Sequence, residues 1–365
     1  MSEAIVVGGG LAGAAFAIAL ARQGRSVVVL EKTTGAHHKV CGEFLSAEAQ
    51  ALLSRLGLDV WQLGARPAGR LGLEFGGRNE RLRLPFRGAG LSRFLLDQAL
   101  LDAAARAGAQ VIRGATVTRL EYEQKSAVVH TATQQFAASH VALATGKHNL
   151  RGLPRPQAPT VAFKMQLRVT PVVAAMLEDL VQLAMFPGGY AGVCLVEGGI
   201  ATICWVIDRD VAGEAAVTWD EHAAFLAQRS QYFAKLLAGA TPLWDKPVAV
   251  AAIPYGFLRR QVISDAVYPL GDQLVVIPSY TGDGTSIALH TGIAAAHAVL
   301  DGRSAGEFQV RAIAKLKPQI AWAKVVNVAF VNATAQRLTS AVARVAPWVV
   351  SGIARFVVNK TRLRV

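Results

Sequence analysis

The sequence predicts an α/β protein in which a parallel-sheet domain is interrupted by an antiparallel-sheet domain and followed by a helical tail. Three observations predict this. The chain opens on a strand, a glycine turn, a helix and a second strand within about thirty residues, the size of one βαβ unit. A proline-rich stretch (Pro154, Pro156, Pro159) then precedes a series of strand-like runs. From Tyr268 the chain returns to glycine-rich strand, turn and helix.

Taken in order, Ile5-Val6-Val7 is a buried-strand run, Leu11 to Gln23 reads as a helix of small residues, and Ser26 to Leu30 as the second strand. The turn between them is Gly8-x-Gly10-x-x-Gly13, with Glu31 closing the second strand and Lys32 after it. Glycines at these spacings allow a tight turn, close approach of backbone to a pyrophosphate, and close helix–strand packing. The N–H groups of Leu11, Ala12 and Gly13 then face the phosphates, and Glu31 suits a ribose hydroxyl. The pattern is that of a Rossmann-type dinucleotide site, here within an α/β architecture.

A polar loop (Gly35 to Val40) leads to Cys41-Gly42-Glu43 and a helix from Ala47 to Leu56. Leu71 to Leu84 reads as a hairpin turning near Gly76-Gly77, and Ser92 caps an amphipathic helix to Arg106. Strands follow near 109–113, 117–123, 127–131 and 141–144. Beyond the prolines come strands near 161–169, 180–186, 190–196 and 200–207, and one helix from Trp219 to Leu237. A short strand (Leu274 to Ile277) and a helix from Thr285 to Leu300 complete the cofactor part. The predicted domains are therefore 1–70, 92–158 and 262–305 for a discontinuous cofactor domain, 71–91 and 159–261 for a substrate domain, and 306–365 for the tail.

With 52% hydrophobic residues in 365, the chain can bury a large core. No uncharged apolar run reaches the about 20 residues a spanning helix needs. Glu3 and the interrupting glycines argue against a signal peptide at the start. Three widely spaced cysteines (Cys41, Cys194, Cys204) show no metal-ligand or CxxC spacing and fit a reducing cytoplasm. His37 and His38, and His290 and His297, also lack the spacing of a helical metal site, so no metal is expected. The net charge of +13 suits an acidic cofactor or an anionic surface. No dense basic run with interleaved aromatics marks nucleic-acid binding. No GxSxG elbow or Walker A loop is present either.

The far motif names the cofactor. Tyr268-Pro269-Leu270-Gly271-Asp272, followed by Pro278-Ser279-Tyr280-Thr281-Gly282-Asp283-Gly284-Thr285, resembles the second FAD motif of the para-hydroxybenzoate hydroxylase and geranylgeranyl reductase superfamily. The resemblance implies FAD, with Asp272 at the ribityl and pyrophosphate part. It also implies that Gly282, Gly284 and Thr285 open a helix whose N-terminus faces the isoalloxazine. Arg93 matches an arginine that approaches the flavin phosphates in relatives. Ala144-Thr145-Gly146 is similar to an Ala-Asp-Gly near the adenosine, with Arg151 trailing it and Thr145 departing from the usual Asp. Cys41-Gly42-Glu43 resembles a segment near the flavin in reductase-like members, which makes Cys41 and Glu43 candidate catalytic residues. Phe186-Pro187-Gly188-Gly189-Tyr190 is a loose match to a substrate-domain strand pair, which adds Tyr190 as a candidate, with Tyr255 and Arg259 as further pocket residues.

The resemblance implies an FAD-dependent oxidoreductase acting on a hydrophobic small molecule, with NADH or NADPH as transient electron donor. The weakened Phe-Pro strand pair favours a monooxygenase hydroxylating an aromatic or polyketide-like compound. The alternative is a reductase saturating carbon–carbon double bonds of an isoprenoid, and a third reading is a non-catalytic electron carrier. The apolar, basic tail from Ala341 reads as a helix packed on its own protein, with peripheral membrane contact as the alternative.

Overall fold

The computed structural model describes residues 2–75, 77–209 and 218–331, with backbone alone for 325–331. Five parallel strands form the first sheet: β1 (Ala4–Val7), β2 (Val27–Glu31), β6 (Gln110–Arg113), β10 (His140–Leu143) and β17 (Val267–Pro269), in the order β17-β10-β1-β2-β6. Both faces are covered, so β1 and β2 read as unbroken apolar runs. Helices α1 (Leu11–Ala21) and α3 (Arg93–Arg106) pack together, α1 over the central strands β1 and β2 and α3 over the edge strand β6. Ser92 caps α3 by accepting from Leu95 N–H at 3.2 Å.

A nine-stranded sheet forms the second layer. Its path is β15 (Ala240–Pro242), β11 (Thr160–Val169), β14 (Ala201–Asp208), β13 (Gly189–Leu195), β12 (Leu180–Phe186), β4 (Arg66–Phe75), β5 (Arg78–Gly90) and β3 (Phe44–Leu45), and β16 (Val248–Ala251) pairs with β11. All its pairings are antiparallel except β12 with β4. Residues 44–45 and 66–70, placed by sequence in the cofactor domain, hydrogen-bond into this sheet. A three-stranded sheet of β7 (Val117–Tyr122), β8 (Ala127–Thr131) and β9 (Gln135–Ala138) covers one edge of the core around β1 and β10. Short helices α2 (Ala47–Arg55) and α4 (Pro171–Leu177) complete the connections.

Two expected elements differ. The helix from Trp219 to Leu237 is two helices, α5 (Trp219–Arg229) and α6 (Gln231–Leu237), because Ser230 is extended and starts a new cap. The Glu74 carboxylate explains the break. It accepts from Ser230 Oγ at 2.5 Å and from the N–H groups of Gln231 and Tyr232 at 3.0 and 3.2 Å, which α5 would otherwise have had to absorb. Leu274 to Ile277 is not a sheet strand. Its backbone pairs with residues 256–259 instead, Gly256 N–H donating to Val276 at 2.7 Å and Arg259 N–H to Leu274 at 2.9 Å.

Helix α7 (Gly284–Leu300) lies against α1. Gly292 permits the contact, since a Cβ there would sit 2.3 Å from the Ala12 carbonyl oxygen. Helix α8 (Ala305–Val331) follows. The predicted tail helix from Ala341 lies outside the described residues.

Candidate cofactor site

The glycine turn is built as its spacing requires. Gly8 has φ of +102°, and a Cβ there would meet the Ala144 carbonyl oxygen at 2.6 Å. A Cβ at Gly13 would lie 2.0 Å from Gly8 O, so α1 reaches β1 only because that residue is glycine. Gly10 differs in kind. Its Cβ position faces Lys39 Nζ at 3.4 Å and an Arg93 guanidinium nitrogen at 3.7 Å. The N-terminus of α1, with Leu11, Ala12 and Gly13 in its first turn and no side-chain cap, therefore opens toward two cations.

Asp97 holds those cations. It pairs with Lys39 at 2.7 Å and with Arg93 through two contacts of 2.6 and 2.9 Å. Burial alone would raise its carboxyl, but the Arg93 and Lys39 charges hold it down at about 2. Lys39 and Asp97 were not anticipated from sequence. The resulting patch combines a helix N-terminus, its unsatisfied N–H groups and two aimed cations, a donor set that fits a diphosphate. Glu31, at the end of β2, accepts from Gly9 N–H at 2.8 Å and from Thr33. Burial opposes its ionisation, yet these N–H groups prevail and keep the carboxyl below its ordinary value. Lys32 is exposed beside it.

The distant FAD motif comes to the same end of the sheet. Gln273 Nε2 donates to the carbonyls of Gly146 and His148 at 2.9 and 2.8 Å, joining segments more than 120 residues apart. Asp272 sits in the single helical turn between, its carbonyl accepting from the buried Arg155 at 2.7 Å. Arg151, in the position the resemblance singled out, is exposed, and Arg155 is the arginine that reaches the loop. Gly282 has φ of +72°, a Cβ there would lie 3.1 Å from the Phe44 ring, and a Cβ at Gly284 would enter open space. Thr285 is buried in the first turn of α7.

Glu43 departs from expectation. In place of facing a ring or a substrate hydroxyl, its carboxylate is buried and engaged by Lys164 Nζ, by Arg93 N–H at 2.8 Å and by Gln166 at 3.4 Å. Lys164 is also fully buried, on β11. The pair ties the Cys41-Gly42-Glu43 segment and the start of α3 to the large sheet. Cys41 is half-buried and accepts from Glu43 N–H at 3.4 Å, and Cys194 donates to Gly42 O at 3.4 Å. Burial pushes the Cys194 thiol up, and the Cys204 thiol up to about 12.

Beyond the 279–284 turn lies an apolar wall. Val40, Leu73, Phe75, Met185, Val206 and Val276 form it together with Tyr190 and Cys204. Tyr190 packs edge-on against Tyr280, and Tyr255 Oη is 2.8 Å from Ser279 Oγ. The Tyr190 hydroxyl lies near both but makes no hydrogen bond, and burial raises the pKa of Tyr190 and Tyr255 so that both phenols stay protonated. Arg259 is buried, its guanidinium donating to Gln273 O at 2.8 Å and lying 5.5 Å from the centre of the Phe257 ring, which packs on this wall.

His38 stacks on Phe94 at 4.9 Å and tilts against Trp244 at 4.4 Å. Burial, then the Lys164 charge, pushes its pKa from 6.5 to about 4. The unfolded chain takes up that proton first, so stability falls as pH drops from 6.5 toward 4. His38→Phe keeps the stack and is expected to flatten this limb in acid denaturation curves. An unchanged slope would reject the assignment.

The fold and this end of the sheet define a flavoprotein of the dinucleotide-binding α/β class. Residues 1–172, just under half of the chain, match the family described as FAD binding domain. The chain is 27% identical over 330 residues to menaquinone reductase of Mycobacterium tuberculosis (strain H37Rv), covering 83% of this chain and 77% of that enzyme. A stretch of 58 residues is 40% identical to squalene epoxidase 5 of Arabidopsis thaliana, 16% of this chain and 11% of that protein. Among solved structures, the flavin-dependent brominase Bmp2 superposes with a TM-score of 0.77 at 15% identity, over 98% of this chain and 94% of that one.

Proposed function

We propose that the protein is an FAD-dependent reductase of a hydrophobic quinone- or isoprenoid-type small molecule, with NADH or NADPH as the transient electron donor. The observation that carries this is the similarity to menaquinone reductase along 83% of the chain, substrate sheet included. The wall beside the 279–284 turn supports it. It is built of apolar side chains, with the hydroxyls of Tyr190, Tyr255 and Ser279 beside them. FAD, when bound, supplies the hydride chemistry. The residues then have separate tasks. Lys39, Arg93 and the α1 N-terminus hold the diphosphate, the apolar wall excludes water, and a protonated Tyr190 or Tyr255 delivers the proton that accompanies hydride transfer.

A monooxygenase is the second reading, favoured by the squalene epoxidase stretch, though it involves only 58 residues. Turnover under oxygen-18 gas separates the two. The expected product gains two hydrogens and no labelled oxygen, and incorporation of one labelled oxygen would promote the monooxygenase.

A further inference from the structure

Three of the seven exposed large hydrophobic side chains among the described residues lie on or beside one helix, α8. Val310 is 67% exposed and Trp322 46% exposed, and Val262 borders the same face near Gly306. The pattern is helical. Phe308, Gln309, Ala312, Leu316, Gln319, Ile320 and Ala323 are buried, whereas 310, 311, 314, 315, 317, 318, 321 and 322 point outward. Arg311, Lys315 and Lys317 lie on that outer face, and Arg260 is exposed close by. The one acid exposed on the described part of α8 is Glu307, in its first turn.

The buried face is equally informative. Gln309 Nε2 donates to Arg259 O and Gln261 O at 2.8 and 3.2 Å, and Tyr280 Oη donates to Ala323 O at 2.9 Å. A Cβ at Gly256 would meet Lys324 Cε at 2.5 Å. Helix α8 is thus fixed directly on Tyr280 and the segment after Tyr255, both part of the apolar wall.

We infer that the outer face of α8 docks the protein on an anionic lipid surface, with Val310 and Trp322 entering the interface and Arg311, Lys315 and Lys317 above the headgroups. Basic charge attracts such a surface, and tryptophan favours the boundary between water and hydrocarbon. Among the described residues no helix is long and apolar enough to cross a membrane. Because the inner face of the same helix holds Tyr280, docking sets the substrate wall against the layer in which a quinone or isoprenoid dissolves. That last step rests on the proposed substrate class, whereas the docking itself does not.

The test is flotation of the full-length protein with phosphatidylcholine vesicles, with and without phosphatidylglycerol. The wild type is expected to float with the anionic vesicles alone, to be released by high salt, and to show a Trp322-dependent blue shift in fluorescence. The Arg311→Glu/Lys317→Glu variant is expected to lose on the order of tenfold or more in partitioning, while reducing detergent-dispersed substrate as the wild type does. Equal flotation by this variant, equal binding to neutral vesicles, or a wild-type dimer that the variant dissociates would each overturn the docking. Loss of reduction in detergent by wild type and variant alike would leave docking intact and refute the substrate reading.

Discussion

Gly10→Val is expected to fold and to purify without flavin. Gly13 and Gly8 touch backbone oxygen, so a side chain at either disrupts the turn itself. The Gly10 side chain would enter the space in front of Lys39 and Arg93, where ordinary van der Waals room exists and where the diphosphate must lie. Its φ of −73° and extended ψ accept any residue. Displacing one charge-assisted contact costs up to about 3 kcal/mol, which lowers FAD affinity on the order of a hundredfold. Flavin content and thermal melting of the apoprotein check this together. An unfolded variant, or one that retains full flavin, contradicts the assignment of the cradle.

Lys164→Met is expected to have the largest effect on stability. It leaves the Glu43 carboxyl enclosed without its cation, with Arg93 N–H and Gln166 as its remaining partners. Breaking a fully buried pair from one side costs roughly 3–5 kcal/mol. Glu43→Gln alone strands the ammonium in the same way. The double variant Glu43→Gln/Lys164→Met removes both charges and should recover most of the loss, because a buried pair and an apolar replacement are close in free energy. Denaturant unfolding of the four proteins measures the coupling. Additive losses would show that the two side chains do not act as a pair.

The parts of the site that were legible in the sequence are those set by local geometry. The Gly8, Gly10 and Gly13 spacing encodes a turn, Ser92 a helix cap, and Gly282 a positive φ, each requirement met within a few residues. Six strands of the large sheet (β4, β5 and β11 to β14) were legible as apolar runs of suitable length, whereas β3, β15 and β16 were not. What was not legible depends on partners far apart in the chain. Nothing near Lys39 announces Asp97, and Lys164 is one lysine in an otherwise strand-like run until folding brings Glu43 to it across 121 positions. The division of the 219–237 helix had the same origin, since the Glu74 carboxylate that caps α6 is 156 positions from Ser230. Glu43 was recognised as important from its neighbours Cys41 and Gly42, but a buried tie and a ligand-facing carboxylate have the same sequence signature.

The most direct test of the account is an anaerobic single turnover. The protein, reconstituted with FAD and reduced with dithionite, is mixed with menaquinone or another isoprenoid quinone, and the flavin absorbance is followed while product is extracted for mass analysis. The account predicts reoxidation of the flavin without oxygen and one equivalent of substrate carrying two more hydrogens. It predicts the same flavin content but slower reoxidation in Tyr190→Phe/Tyr255→Phe. Flavin that stays reduced until air is admitted, with substrate unchanged, would contradict the reductase.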